Sequence, residues 1–330
     1  MIDRAHLLVA DLERIPAILR ALAIAEVPGF LVRAGVPAPS HVVLTGLGSS
    51  RFAALAVQPT MQAAGLHVVV EHASTSQPVP VGPGVLVVAV SSSGRTAETV
   101  AAATRARIAR AHVIGVTNDQ VSPLAAAADE IYPLAAGVEA SGVASATYAA
   151  TVAALVRLAA TLVVGIDARG VLAGAADAAD QALASRNSWL TAAADTLDGG
   201  TPIHVLADAA ALGTAEQAAL LFREAPRLDA DATDSGDWLH TGIYTALPGY
   251  RAVLLAGTPY DDELIATVQR RGGRIISIGQ TRAGMAEIAD IAVPLPADAL
   301  ADVLVRALVE PVVTTALAAE LWRRARGSSA

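Results

Sequence analysis

Two apolar runs stand out along the chain, and each opens into a polar loop followed by a helical pattern. His41-Val-Val-Leu-Thr45 leads into Gly46-Leu-Gly-Ser-Ser50 and a helical stretch at 51–64. Gly84-Val-Leu-Val-Val-Ala-Val90 leads into Ser91-Ser-Ser-Gly-Arg-Thr96 and a helical stretch at 97–110. Short apolar runs without alternation fit strands covered on both faces, as in a parallel sheet. Further short strands are expected at 67–71, 112–116 and 130–133. Strands alternating with helices of about 10–15 residues predict a parallel sheet with helices on both sides.

The pattern then recurs. Pro202-Ile-His-Val-Leu-Ala207 precedes a helical 214–225, and Arg251-Ala-Val-Leu-Leu255 precedes 261–271. Arg274-Ile-Ile-Ser-Ile278 corresponds to 112–116, and 290–294 corresponds to 130–133. The matched segments are about 160 residues apart, too far for a solenoid repeat and suited to a duplicated domain. A helical region at 147–197, with one break near 165–170, lies between the copies, and a helix at 299–326 closes the second. These signals divide the chain into a helical segment 1–30, an α/β domain 31–165, a helical linker 166–200 and a second α/β domain 201–330.

Composition narrows the chemistry. Of 330 residues, 54% are hydrophobic and only 3% aromatic, so the cores are built from Ala, Val and Leu. The most apolar helical stretch, 152–166, contains Arg157 and is shorter than the ~20 residues that span a bilayer. Residues 1–20 mix charged and apolar positions as an amphipathic helix does, unlike a signal peptide. A cytoplasmic protein without membrane contact is expected. There is no Cys, which excludes a cysteine nucleophile, and no Lys, so all 23 basic residues are Arg. A lysine Schiff base within this chain is therefore excluded. A net charge of −8 with no basic cluster argues against nucleic acid.

The densest polar signal is Ser91-Ser-Ser-Gly-Arg-Thr-Ala-Glu-Thr99. Hydroxyls and a flexible Gly sit between a buried strand and a helix N-terminus, where free N–H groups and the helix dipole favour an anion. A capped helix after a polar loop is the plainer reading, but it would use one hydroxyl where this loop has several. Gly46-x-Gly48 has the start of a dinucleotide fingerprint but lacks its third Gly, and an ordinary tight turn explains it equally well.

The run Ser91–Thr99 resembles the S-x-S-G-x-T-x-[DE]-T loop of the sugar isomerase (SIS) domain family. Gly46–Ser50 is similar to that family's first loop, and Gly137-Val-Glu-Ala-Ser-Gly-Val-Ala-Ser145 to its A-G-x-E-x-x-V-A-S segment. The resemblance implies two tandem flavodoxin-like α/β/α sandwiches, each with a five-stranded parallel sheet. It also implies that Ser49, Ser50, Ser91, Ser92, Ser93 and Thr96 contact phosphate or sugar hydroxyls, and that Val143 and Ser145 line the sugar. The second copy has Ala256-Gly-Thr-Pro-Tyr260 where a phosphate loop would be, implying one phosphate site per chain.

Phe222-Arg-Glu224 and, sixteen positions after Glu224, His240 resemble the base and ring-opening pair of the isomerase half of glucosamine-6-phosphate synthase. The expected activity is isomerisation of a hexose or aminosugar 6-phosphate without the glutaminase half, or a related deamination or deglycation. Glu224 would move the proton between C1 and C2, and His240 would open the ring. Neither metal nor organic cofactor is implied, and a homodimer is. Thr147 replaces the Lys that follows V-A-S in the aminosugar enzymes, and the tail 326–330 carries no Lys. Asp237 and Thr241 depart from the family's G-E-x-x-H-G-P. These departures motivate a second hypothesis, a phosphosugar sensor without turnover, and Gly46-x-Gly48 a third, a nucleotide-binding oxidoreductase.

Overall fold

The computed structural model describes residues 4–26, 39–199, 202–279 and 289–327. The expected domain boundaries at 30–31 and 200–201, and the tail at 328–330, lie outside the described residues. Packing divides the chain into two compact units, one of Ile18–Val138 with Ala146–Ala173, the other of Met1–Ala17, Glu139–Ser145 and Gly174–Ala330.

The first unit is built on β1 (His41–Gly46), β2 (Val68–His72), β3 (Val85–Val90), β4 (His112–Thr117) and β5 (Glu130–Pro133). They form a parallel sheet in the order β2-β1-β3-β4-β5. Every residue of β3 is buried, as its unbroken apolar run requires. Each such Val or Leu contributes about 1.5–3 kcal/mol of burial free energy. Helices Ser49–Ala63 and Ala97–Ile108 follow β1 and β3. Helix Ala146–Leu162 is buried along almost its whole length and packs on Ser49–Ala63. Its Ala-rich sequence permits that close approach.

The other unit repeats the plan with β6 (Ile203–Ala207), β7 (Ala230–Asp234), β8 (Arg251–Leu255), β9 (Arg274–Ile278) and β10 (Ile291–Val293). Their order, β10-β9-β8-β6-β7, is the first sheet's order read from the opposite edge. The chain is thus two tandem α/β domains with five-stranded parallel sheets. Helix Arg4–Glu13 packs in this unit against the long helix Val303–Gly327.

Four local expectations change. The helical run 1–20 is interrupted at Arg14, because Pro16 has no N–H to give to Leu12 and a second helix, Ile15–Ile24, starts there. The region 147–197 breaks twice, at 163–167 and again at the 3₁₀ turn Arg186–Ser188. The closing helix begins at Val303 after a short turn Ala297–Leu300, since Asp302 Oδ1 accepts from Leu304 N–H at 2.8 Å and so caps a fresh start. Finally, β7 was not anticipated: Ala-Asp-Ala-Thr-Asp has no apolar run, and the strand forms at the sheet edge.

Candidate functional site

In the first sheet β1 and β3 are neighbours, and strand order reverses between them. This is the position where open parallel sheets hold ligands beyond their carboxyl ends. Both loops singled out in the sequence are there. Ser49 and Ser50 open helix Ser49–Ala63, are half-buried, and have Gly48 as an N-cap that offers no side chain.

The loop after β3 is held from behind and left open in front. Ser91 is buried, and its Oγ lies 3.0 Å from Thr96 Oγ1. Thr96 is the N-cap of helix Ala97–Ile108, yet its hydroxyl makes no capping bond. The first intrahelical bond is from Val100 N–H to Thr96 O, so no i−4 carbonyl serves the N–H groups before it. Ser93 is exposed, and its Oγ accepts from Arg95 N–H at 3.2 Å. Ser92 takes part through its carbonyl, which accepts from Asn118 N–H at 2.9 Å and from the Thr117 hydroxyl at 3.1 Å. Arg95 pairs with Asp119 at 2.8 Å. Gly94 has φ 63°, and a Cβ there would lie 2.0 Å from Ser122 Oγ. The backbone therefore folds over the Thr117–Ser122 turn, a support that the sequence reading did not assign.

The remaining expected residues belong to the other unit. Val143 and Ser145 are buried. The Ser145 N–H and hydroxyl donate to Glu139 Oε1 at 3.1 and 3.0 Å. Asp11 accepts from Ala140 and Ser141 N–H at 3.0 and 2.8 Å, and Gln217 Nε2 donates to Ala144 O at 2.9 Å. Glu139, Asp11 and Gln217 thus fix the segment, and only Glu139 lay within a quoted motif. Glu224 ends helix Leu212–Glu224 with an exposed side chain, yet neighbouring atoms desolvate it enough to raise its pKa. Arg223 and Arg227 pull the pKa down, and Glu139 adds a push upward. His240 is exposed, and its N–H donates to Asp237 O at 3.0 Å. Beside it, Trp238 is buried with its Nε1–H on Tyr250 Oη at 2.8 Å.

The loop after β8 corresponds to the one after β3 but is filled by the protein itself. The buried Asp261 carboxylate accepts from Gly257 N–H at 2.7 Å, Thr258 N–H at 3.1 Å and the Thr258 hydroxyl at 2.6 Å. Arg306 donates to Ala256 O at 2.6 Å and pairs with the fully buried Glu310. Burial raises the Glu310 pKa against the pull of Arg306.

Residues 38–186, which include the loops after β1 and β3, match the family model of the SIS domain. The chain carries a SIS domain. A curated relative, glutamine–fructose-6-phosphate aminotransferase (isomerizing) of Aeropyrum pernix, is 32% identical over 255 residues, 73% of this chain and 39% of that protein. The chain spans less than half the length of the curated relatives it matches. Among solved structures, the C-terminal domain of glucosamine-fructose-6-phosphate aminotransferase from Francisella tularensis superposes with TM-score 0.81 at 18% identity, covering 98% of this chain and 96% of that one. Tagatose-6-phosphate ketose/aldose isomerase from Escherichia coli gives TM-score 0.79 at 17% identity, with coverage of 96% and 92%. The fold of this chain is the fold of these solved structures. Among the described residues no helix is long and apolar enough to cross a membrane.

Proposed function

We propose that this SIS protein is a phosphosugar isomerase acting on a hexose or aminosugar 6-phosphate. The observation that carries the reading is the loop after β3, whose helix N-terminus is uncapped beneath Ser91, Ser93 and Thr96. In this reading those hydroxyls and the free N–H groups hold the phosphate dianion, with Ser49, Ser50 and Ser92 beside it. Val143 and Ser145 line the sugar. His240 opens the ring by proton transfer. The Glu224 carboxylate takes the C2 proton of the open-chain aldose, leaving an enediolate, and returns it to C1 while the O2 proton passes to O1, which gives the ketose. The chemistry asks for no lysine, consistent with a chain that has none. The protein works in the cytoplasm as a homodimer, with domains at 31–165 and 201–330 joined by 166–200.

The test is turnover with hexose and aminosugar 6-phosphates, together with exchange of the C2 proton for deuterium. Glu224→Gln is expected to lower kcat by about 10²–10⁴-fold while leaving ligand-induced stabilisation intact. The base acts as the carboxylate, and its pKa is raised. The acid limb of kcat/KM therefore falls above the ordinary glutamate range, and it is absent in the Gln variant. Undiminished turnover in Glu224→Gln would remove Glu224 from this role. Thr147, standing where the aminosugar enzymes have Lys, favours the second reading of a sensor. That reading predicts saturable binding with no proton exchange.

A further inference from the structure

The side chain of Trp238 has one polar atom, and the fold gives it one acceptor. The indole is buried with Leu206 of β6 and with Ala252 and Leu254 of β8, and its Nε1–H donates to Tyr250 Oη at 2.8 Å. An indole N–H taken out of water needs such a partner, so the bond sets the rotation of the ring. Tyr250 is buried too, and its ring stacks on His204 of β6, with centroids 4.2 Å apart and planes 8° from parallel. His204 Nδ1 in turn lies 2.8 Å from Asp231 Oδ1 on β7. The indole is therefore tied to the second sheet through two stacked rings.

The same edge of the indole meets the chain again four residues later. Gly242 packs so closely that a Cβ there would overlap Cδ1 and Nε1 of Trp238. Leu239 and Ile243 pack against the same core. His240 and Thr241 are left exposed at the apex of a loop that one side chain grips on both sides. The His240 imidazole makes no hydrogen bond or ion pair among the described residues, so the loop backbone places it. Asp237 O shapes that backbone by accepting from His240 N–H at 3.0 Å and from Thr241 N–H at 2.9 Å. These bonds fold the turn upon itself, whereas the Trp238–Tyr250 bond ties it to the sheet.

We propose that Trp238 and Tyr250 are positioning residues for His240. Their hydrogen bond fixes the indole, and the indole clamps the loop on either side of the imidazole. What His240 does rests on the phosphosugar reading; where it is held does not. A group that transfers a proton must stand within hydrogen-bond reach of its substrate atom, and a misplacement of about 1 Å can cost roughly 10²-fold in rate. Tyr250→Phe removes the acceptor and keeps the ring, so it loosens the clamp without emptying the core.

The experiment has two arms. In the ligand-free protein, amide hydrogen exchange at His240 and Thr241 is compared between wild type and Tyr250→Phe. Exchange about tenfold faster in the variant is expected, with the amides of β8 unchanged. In the second arm kcat and KM are measured with glucose, mannose and glucosamine 6-phosphates. Tyr250→Phe is expected to lower kcat about tenfold or more, with KM within about twofold of wild type. In a His240→Ala background it is expected to lower kcat no further, since a residue that acts through His240 then has nothing to position. Trp238→Phe, which removes the donor instead, is expected to reproduce both results. Equal exchange at His240 and Thr241 in wild type and in a folded Tyr250→Phe or Trp238→Phe would overturn the proposal. So would a loss of kcat that persists undiminished in the His240→Ala background, the mark of a merely structural role. A wild type that turns over none of these phosphates, or a His240→Ala as active as wild type, would instead count against the phosphosugar reading, and the exchange arm alone would then decide how His240 is held.

Discussion

The loop after β3 and the loop after β8 occupy the same place in two sheets of the same strand order, and they meet the same electrostatic problem in opposite ways. Each carries backbone N–H groups in the turn between a buried strand and a helix. After β3 the side chains stand back: Thr96, placed to cap, turns to Ser91, and the helix end is left without a side-chain cap. After β8 a carboxylate from the helix itself turns back to take the N–H groups of Gly257 and Thr258. The two loops hold equivalent places, and in the second the Asp261 carboxylate occupies loop donors whose counterparts after β3 have no such side chain.

The comparison can be broken most directly at Asp261. Asp261→Ala removes three hydrogen bonds to a buried carboxylate and is expected to cost about 3 kcal/mol in denaturant unfolding. A cost near zero would mean that the carboxylate does not satisfy the second loop. Gly94→Ala tests the first loop's support, because the new Cβ meets Ser122 Oγ at a positive φ. A loss of about 2 kcal/mol is expected, together with loss of stabilisation by sugar phosphates in a thermal-shift assay. The smallest change is Ser91→Ala, expected to cost about 1 kcal/mol of stability by leaving Thr96 without its hydroxyl neighbour. If the two loops differ as described, sugar phosphate raises the Tm of Asp261→Ala as much as that of the wild type, and raises that of Ser91→Ala less.

Most of the sheet was legible because β1, β3, β6, β8 and β9 are short apolar runs with few competing readings. The strand β7 was hidden because Ala-Asp-Ala-Thr-Asp is specified by its place beside β6, through register pairing from Ile203 with Ala230 to Ala207 with Asp234, and not by its own pattern. Helix ends misled wherever a local cap decided the matter, as at Asp302. The hydroxyl loop could be recognised from residue types alone. The way its hydroxyls are spent could not, since whether Thr96 caps its helix or faces Ser91 depends on a side-chain rotation. Asp261 was invisible for a related reason: an acidic residue in a helix's first turn is commonplace, and nothing local to it announces that it bends back over the preceding loop.

Because Asp261 is tethered to the loop it fills, its effective concentration there never falls, whatever the cell contains. The loop after β8 is accordingly saturated from the moment the domain folds, and its amide protons should exchange slowly with solvent in any buffer. On the phosphosugar reading the loop after β3 has no such resident, so its occupancy follows mass action and rises with the supply of its anion. One half of the molecule would then be insensitive to metabolite levels, and the other would report them.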